Sequence, residues 1–399
     1  MIIEPKFKGS LLLSVHPEGC FKGVEEQIDY VKSNENTYTG AKKVLILGAS
    51  SGYGLATRIS LAFGGPKADT IGVSFESGAK GKRLGTAGWY NNIAFRQAAE
   101  KEGLVAKNFI GDAFSYEMKD QVIKFIKDEF GGQVDLIIYS LASGRRTDPT
   151  DGVTYISALR STTGGVTGPT INVATQSLEE QSMDDATEEE LKSTVKVMGG
   201  EDWDMWITQL ADAGVLADGA RTYAYSYIGP EATYGIYKDG TIGAAKRHLE
   251  NTAFKLNDLM KEKVGGQAYI TVNKALVTKA SAYIPIFPVY AAVLYKVMKE
   301  MNLHEGCIEQ VHRLFTTMIY GDAPVIDDER RIRPDDWEMR EDVQARVNEL
   351  WTKVTPENFK DLTDFEGFCS DFLKLGGFAV DGVDYSKSLD LEKYTSLQP

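Results

Sequence analysis

Lys43-Val44-Leu45-Ile46-Leu47-Gly48-Ala49-Ser50-Ser51-Gly52-Tyr53-Gly54 decides the fold. Five residues ending in four consecutive apolar side chains read as a short buried strand. Three glycines follow, and a helical pattern then runs to Phe63. Small residues at a strand-to-helix turn let the backbone approach a pyrophosphate, and the helix N-terminus offers free N–H groups and positive dipole. The same glycines could serve only a tight turn that packs for its own sake. Their place after a strand and before a helix is what a dinucleotide site demands. The candidate cofactor residues here are Gly48, Ala49, Ser50, Ser51, Gly52 and Tyr53.

Outward from this turn the pattern repeats. Strands are expected at Thr70–Phe75, Leu104–Ile110 and Val134–Tyr139, with helices over 89–102 and 115–130 between them. The rhythm breaks at Ser143. Residues 144–196, rich in Thr, Gly, Ser and acids, read as an insertion lying over the sheet edge. It resumes with a helix Asp202–Ala213, a strand Thr222–Tyr227, a helix from Thr241 to about Lys261 and a strand Ala268–Asn273. Alternation of this kind implies an α/β fold, a Rossmann-type doubly wound parallel sheet with helices on both faces. Residues 1–40 read as an N-terminal hairpin and helix. The extension 321–399 reads as a possible hairpin (Pro324–Arg333) and a helix (Glu338–Thr352). With no repeats or Pro/Ser linkers, 1–399 is expected to be one enlarged domain, with the dinucleotide-binding core at 41–320.

The strand ends supply further cofactor candidates. The second strand closes on Phe75-Glu76, and Glu76 lies 22 residues after Gly54. A carboxylate there accepts from the ribose 2′ and 3′ hydroxyls and repels a 2′-phosphate, which predicts NADH over NADPH. A solvated strand-end acid is the plainer reading. Asp112-Ala113 follows the third strand, where Asp112 could accept from the adenine amino group. Leu141-Ala142 follows the fourth, where the cofactor would cross the sheet's C-terminal edge.

Composition bounds the partners. The 399 residues are 43% hydrophobic and 25% charged, ordinary globular usage, so a large core needs no staples. A net charge of −13 argues against nucleic acid or an anionic membrane as main partner. Cys20, Cys307 and Cys369 are odd in number and far apart, which fits free thiols in a reducing compartment. Four histidines show no metal-ligand spacing, and no metal is expected. An acid and a proline near Met1 do not suit a signal peptide. The longest uncharged run, Ala280–Tyr295, carries Pro285 and Pro288 and falls short of the ~20 residues that span a bilayer. A cytoplasmic protein is expected, with no membrane partner.

The glycine spacing GxxxGxG is that of the short-chain dehydrogenase/reductase superfamily, which directs attention to Tyr and Lys beyond the fifth strand. Tyr237 and Lys246 lie there with eight residues between, where ordinary members place three. At about 100° per residue that offset puts the two on opposite faces of one continuous helix. Asp239-Gly240 is a turn and Thr241 a plausible N-cap. Tyr237 would then precede the helix and Lys246 lie within it.

Nearly the whole chain resembles the FabV-type trans-2-enoyl-CoA/acyl-carrier-protein reductases. The stretches that carry the resemblance are Gly48–Gly54, Gly88-Trp-Tyr-Asn91, Val197-Met-Gly-Gly-Glu-Asp-Trp203, Ala224-Tyr-Ser-Tyr-Ile-Gly-Pro-Glu231, Gly240-Thr-Ile-Gly243, Val272-Asn-Lys-Ala-Leu-Val-Thr278 and His304-Glu-Gly-Cys307. The Tyr-x8-Lys spacing is that family's signature. The resemblance implies hydride transfer from NADH to the β-carbon of an enoyl thioester carried on coenzyme A or acyl carrier protein. Tyr237 would stabilise the enolate oxygen. Lys246 would hold the nicotinamide ribose and favour the Tyr237 anion, and Tyr227 would contact substrate. Leu276, Val277 and Thr278 would hold the pyrophosphate and nicotinamide. Beyond Thr278, Ile284, Ile286 and Phe287 either line an acyl pocket or fill the core. A 3-oxoacyl thioester carbonyl reductase and a non-catalytic NAD sensor are the alternatives. Oligomeric state stays open, a monomer included.

Overall fold

Val44 to Leu47 are each fully shielded from solvent, as a strand covered on both faces requires. In the computed structural model, which describes residues 1–34, 37–81, 83–321 and 325–399, a small hairpin comes first. It pairs β1 (Phe7–Lys8) with β2 (Leu11–Leu12) and turns at Gly9, where φ is +57°. Helix α1 (Pro17–Ser33) follows. The expected rhythm then appears as β3 (Lys43–Leu47), α2 (Gly52–Phe63), β4 (Asp69–Ser74), α3 (Ala87–Lys101), β5 (Ala106–Ile110), α4 (Tyr116–Glu129) and β6 (Val134–Tyr139).

The insertion builds two antiparallel hairpins, β7 (Arg145–Thr147) with β8 (Thr154–Ile156) and β9 (Val166–Asn172) with β10 (Ser177–Met183). Helix α5 (Glu188–Met198) closes it. Then come α6 (Glu201–Asp212), β11 (Leu216–Ser226), the one-turn α7 (Tyr234–Tyr237), α8 (Thr241–Val264) and β12 (Gln267–Val272). Helices α9 (Phe287–Glu300) and α10 (Cys307–Arg313), strand β13 (Arg331–Ile332), and helices α11 (Glu341–Trp351), α12 (Phe359–Leu362) and α13 (Phe365–Lys374) complete the frame.

Seven strands form one parallel sheet in the order β13-β12-β11-β6-β3-β4-β5. The order reverses at β3/β6, and the β3–α2 turn lies at that switch point, where ligands of such sheets bind. Strand alternation feeds two cores. Val44, Ile46, Leu136 and Ile138 pack with α1, α2 and α10, whereas Leu45, Leu47, Ile137 and Tyr139 pack with α4, α6 and α8. The sheet is thus doubly wound.

Two expectations are corrected. Pro324 lies outside the described residues, and Arg331–Ile332 makes no hairpin of its own. It pairs with β12 in parallel, so the Ile270 N–H reaches the Arg330 carbonyl at 3.1 Å instead of remaining an open edge. The insertion does not cover a sheet edge. Its α5 packs on α8, its β9 packs on α9, and Ser161 bridges Gly240 in the turn before α8. Among the described residues no helix is long and apolar enough to cross a membrane.

Candidate active site

Gly48 has φ +93°, and a Cβ there would stand 2.2 Å from the Ser140 carbonyl oxygen. A Cβ on Gly54 would stand 1.9 Å from the Gly48 carbonyl oxygen. Only glycine allows helix α2 to start this close to the sheet. Ser51 is the N-cap residue but makes no side-chain cap bond, and the first turn carries no acid. Free amide N–H groups and a positive dipole end are therefore left at this turn, where Ser51, Gly52, Asn91 and Val277 form one wall of a cleft of about 520 Å³ that otherwise runs between α1, α10 and α13. These features suit a pyrophosphate.

The other nominated cofactor residues gather at the same edge. The Glu76 carboxylate accepts from Ser50 Oγ (2.6 Å), from Thr86 Oγ1 and from Lys279 Nζ (3.3 Å). Gly88 makes room for it, since a Cβ there would lie 2.0 Å from Glu76 Oε1. Asn91 Nδ2 donates to the Ser50 carbonyl at 2.9 Å, fixing the loop from α3. Phe75 is 79% exposed, an open ring at the end of β4. Asp112 Oδ1 accepts from the Phe114 N–H, and the Ala113 carbonyl accepts from Trp206 Nε1, so that turn is set from within. Leu141 and Ala142 follow Ser140, whose N–H bonds the Leu47 carbonyl. Thr278 reaches the glycine turn from the far side, its Cγ2 only 3.3 Å from where a Gly52 Cβ would be. The Val277 N–H donates to the Tyr295 hydroxyl, and the Leu276 carbonyl accepts from Ser281 Oγ. Tyr53 turns its side chain inward, its hydroxyl donating to the Lys274 carbonyl at 2.6 Å, which leaves its backbone to the loop.

Tyr237 ends α7 and Lys246 lies in α8, so the two sit on separate helices as the spacing requires. Thr241 is not the N-cap. Gly240 takes that place, because a Cβ there would press on the carbonyls of Ile236 and Arg160 at 2.6 and 2.8 Å. The Thr241 hydroxyl instead donates to the Ala158 carbonyl at 2.5 Å, and the Thr241 N–H donates to the Arg160 carbonyl. The insertion thereby holds the turn that carries Tyr237.

Lys246 Nζ reaches the Tyr225 carbonyl at 3.5 Å, and burial brings its ammonium down to about 8. Burial, then the Glu338 charge, raises Tyr237 far above the ordinary phenol range. Both causes favour the neutral phenol, and the Lys246 charge is not among them.

Sequence reasoning did not find the group behind these tyrosines. Glu338 is fully buried, and burial lifts its carboxyl to about 7. Its Oε1 accepts from Tyr227 (3.1 Å) and Tyr290 (2.7 Å), and its Oε2 accepts from the Ala275 N–H (2.7 Å). The Tyr227 ring stands edge-on to the Tyr237 ring with centroids 4.6 Å apart, and Phe287 lies 6.4 Å from Tyr237. Lys274 is also buried and falls to about 8, its Nζ on the Glu305 carbonyl. The run Asp335-Asp336-Trp337-Glu338 gives no local signal of this role, since an acid before a helix ordinarily faces water.

A parallel nucleotide-binding sheet with Tyr237 buried and Lys246 half-buried beyond its C-terminal strand ends defines the class as a nicotinamide-dependent reductase. Residues 83–320 match the trans-2-enoyl-CoA reductase catalytic region, and residues 2–81 match the NAD(P)H binding domain of trans-2-enoyl-CoA reductase. The chain belongs to the trans-2-enoyl-CoA reductase family. It is 57% identical to a trans-2-enoyl-CoA reductase [NADH] of Clostridium beijerinckii and 55% identical to an enoyl-[acyl-carrier-protein] reductase [NADH] of Photobacterium profundum, each covering 100% of both chains. The crystal structure of the Clostridium acetobutylicum trans-2-enoyl-CoA reductase in complex with NADH superposes with a TM-score of 0.98 at 54% identity, covering 100% of both chains.

Residues 326–389 match an enoyl reductase FAD binding domain. This segment does not fit a flavin. Among the described residues it carries no glycine-rich strand-to-helix turn. Its apolar side chains, Val343, Val347, Phe365 and Phe368 among them, pack against α9.

Proposed function

We propose that this protein reduces the 2,3 double bond of trans-2-enoyl thioesters with NADH, using Tyr237 as the donor to the thioester oxygen. When bound, NADH supplies the hydride for the β-carbon. The buried, neutral Tyr237 hydroxyl carries this reading. It has no hydrogen-bond partner among the described residues, so it is free to meet the charge that develops on that oxygen. Lys246 holds the nicotinamide ribose, and Tyr227 contacts the substrate. The glycine turn, with Thr278 beside it, holds the pyrophosphate. Glu76 holds the adenosine ribose, Phe75 lies against the adenine face and Asp112 beside its amino group. Ala113, Leu141, Ala142, Leu276 and Val277 line the rest of the path.

We read residues 1–399 as one functional unit, since the contact from Tyr227 to Glu338 ties the core to the extension across 111 positions. Coenzyme A and acyl carrier protein thioesters are both candidate carriers. The cytoplasm, where thiols stay reduced, suits the free Cys20, Cys307 and Cys369.

The test is loss of NADH absorbance with crotonyl-CoA and with acetoacetyl-CoA. Turnover on crotonyl-CoA alone is expected. Turnover on acetoacetyl-CoA alone would make the protein a carbonyl reductase, and turnover on neither would leave an NAD-binding protein without this chemistry. Matched CoA and carrier-protein substrates then decide the carrier.

A further inference from the structure

Glu338 comes from the C-terminal extension yet ends against the tyrosines of the core. Its neighbours are specific. The Tyr290 hydroxyl accepts from Gln344 Nε2 (3.3 Å) and gives its hydrogen to Glu338 Oε1, while the Ala275 N–H occupies Oε2. One position on Oε1 remains, and it faces Tyr227 at 3.1 Å. That contact admits either direction. An ionised Glu338 accepts the Tyr227 hydrogen. A protonated Glu338 can place its own hydrogen on the Tyr227 oxygen, which releases the Tyr227 hydrogen.

Resting on the reading of Tyr227 as a substrate contact, we infer that Glu338 is a positioning residue whose single proton decides whether Tyr227 donates inward to the carboxyl or outward to the thioester oxygen. The protonated form is the competent one. It leaves Tyr227 as a second O–H donor beside Tyr237, with the two rings held edge to face. The ionised form turns a lone pair of Tyr227 toward an oxygen that is gaining charge, which opposes the reaction. One proton moves between Glu338 and solvent, and one hydrogen bond reverses.

The groups facing Glu338 bear on this titration. Tyr227 comes from the end of β11, Tyr237 from α7, Tyr290 from α9 and Tyr53 from α2. Lys274 follows β12 and favours the anion, and Asp335 in its own segment opposes it, as Arg333 favours it. Burial outweighs them and keeps the acid form present to about 7.

The experiment follows kcat and kcat/KM on crotonyl-CoA from about pH 5.5 to about pH 9.5 for the parent, E338Q and Y227F. The parent should lose turnover by about tenfold per pH unit above a break near 7. E338Q keeps its amide oxygen on the Ala275 N–H and presents an NH₂ donor to Tyr227 and Tyr290 at every pH, turning the Tyr290 hydrogen away as well, so its break should move to about 8, where Lys246 loses its proton. Y227F lacks the hydroxyl that Glu338 acts upon, and its residual turnover should also lack the break near 7. The KM for NADH should be unmoved in both. Independently of turnover, the infrared carbonyl band of a protonated carboxyl should titrate near 7 in the parent and be missing from E338Q.

A parent with no break near 7, or an E338Q or Y227F that keeps it, overturns the role of Glu338. Should E338Q not fold, Y227F and the parent's infrared titration still decide. No parent turnover at any pH overturns the reductase reading, and this one with it, whereas turnover with a break shared by all three overturns this one alone.

Discussion

The Tyr227 and Tyr237 rings meet edge to face with centroids 4.6 Å apart, although one residue follows β11 and the other ends α7. The ring of each limits the tilt of the other, so the Tyr237 hydroxyl is held by packing. Tyr237→Phe removes the oxygen and keeps the packing. Turnover should fall by about 10²–10³, the loss seen when a single oxyanion donor is removed. NADH affinity should be nearly unchanged, because the hydroxyl acts mainly in the transition state. Near-parental turnover in single-turnover assays would take Tyr237 out of the mechanism.

Lys246 is expected to act on cofactor binding as well. Lys246→Ala should raise the KM for NADH and lower kcat together. The pH dependence follows from its pKa, brought down to about 8 by burial. The group is charged below that value and loses charge as pH rises through it, so NADH affinity should weaken on the alkaline side. Lys246→Arg keeps its charge there and should carry binding to higher pH. Titrations of NADH fluorescence at several pH values check both outcomes.

Glu76 is clamped by Ser50, Thr86 and Lys279. Glu76→Ala removes the proposed acceptor for the ribose hydroxyls and also frees the Lys279 ammonium beside it. The mutant should therefore gain on NADPH by more than loss of repulsion alone would give. A further Lys279→Ala change should reverse part of that gain. The ratio of kcat/KM for the two cofactors is the measurement, and equal use of both by the parent would remove Glu76 from the ribose.

How much of this was legible in the sequence depends on how local each signal is. The β3–α2 turn could be read because strand period, glycine spacing and helix start fall within a dozen residues. Val134–Tyr139 matches β6 residue for residue, since a run buried on both faces has sharp ends. The Tyr237/Lys246 offset likewise demanded a break between helices, and α7 and α8 supply it. Glu338, Lys274 and the clamp around Glu76 depend on contacts between distant segments, such as Tyr227 with Glu338, and no short pattern encodes those. The turn before α8 misled for a related reason. Thr241 suits an N-cap by type, but the insertion claims its hydroxyl through Ala158.

The segment beyond Thr278 offers the sharpest remaining test. Ile284, Ile286 and Phe287 were equally good candidates for an acyl wall, yet their surroundings differ. Phe287 is buried beside the Tyr237 ring, with centroids 6.4 Å apart, so its side chain borders the proposed donor to the thioester oxygen. Ile286 is buried under the insertion, its Cγ1 and Cδ1 each 2.9 Å from where a Gly168 Cβ would stand, and its φ is +66°. A β-branched residue in that left-handed conformation is strained, and packing against β9 must hold it there. Phe287→Ala should therefore enlarge the space near the substrate and raise the ratio of turnover on six-carbon over four-carbon enoyl thioesters, each buried CH₂ being worth roughly 0.8 kcal/mol. Ile286→Ala should leave that ratio alone and cost about 2–5 kcal/mol of stability, read as a lower Tm. Ile284, only half-buried, should do less to either. Should Ile286→Ala shift the chain-length ratio and Phe287→Ala only lower the Tm, the acyl wall lies under the insertion and not beside Tyr237.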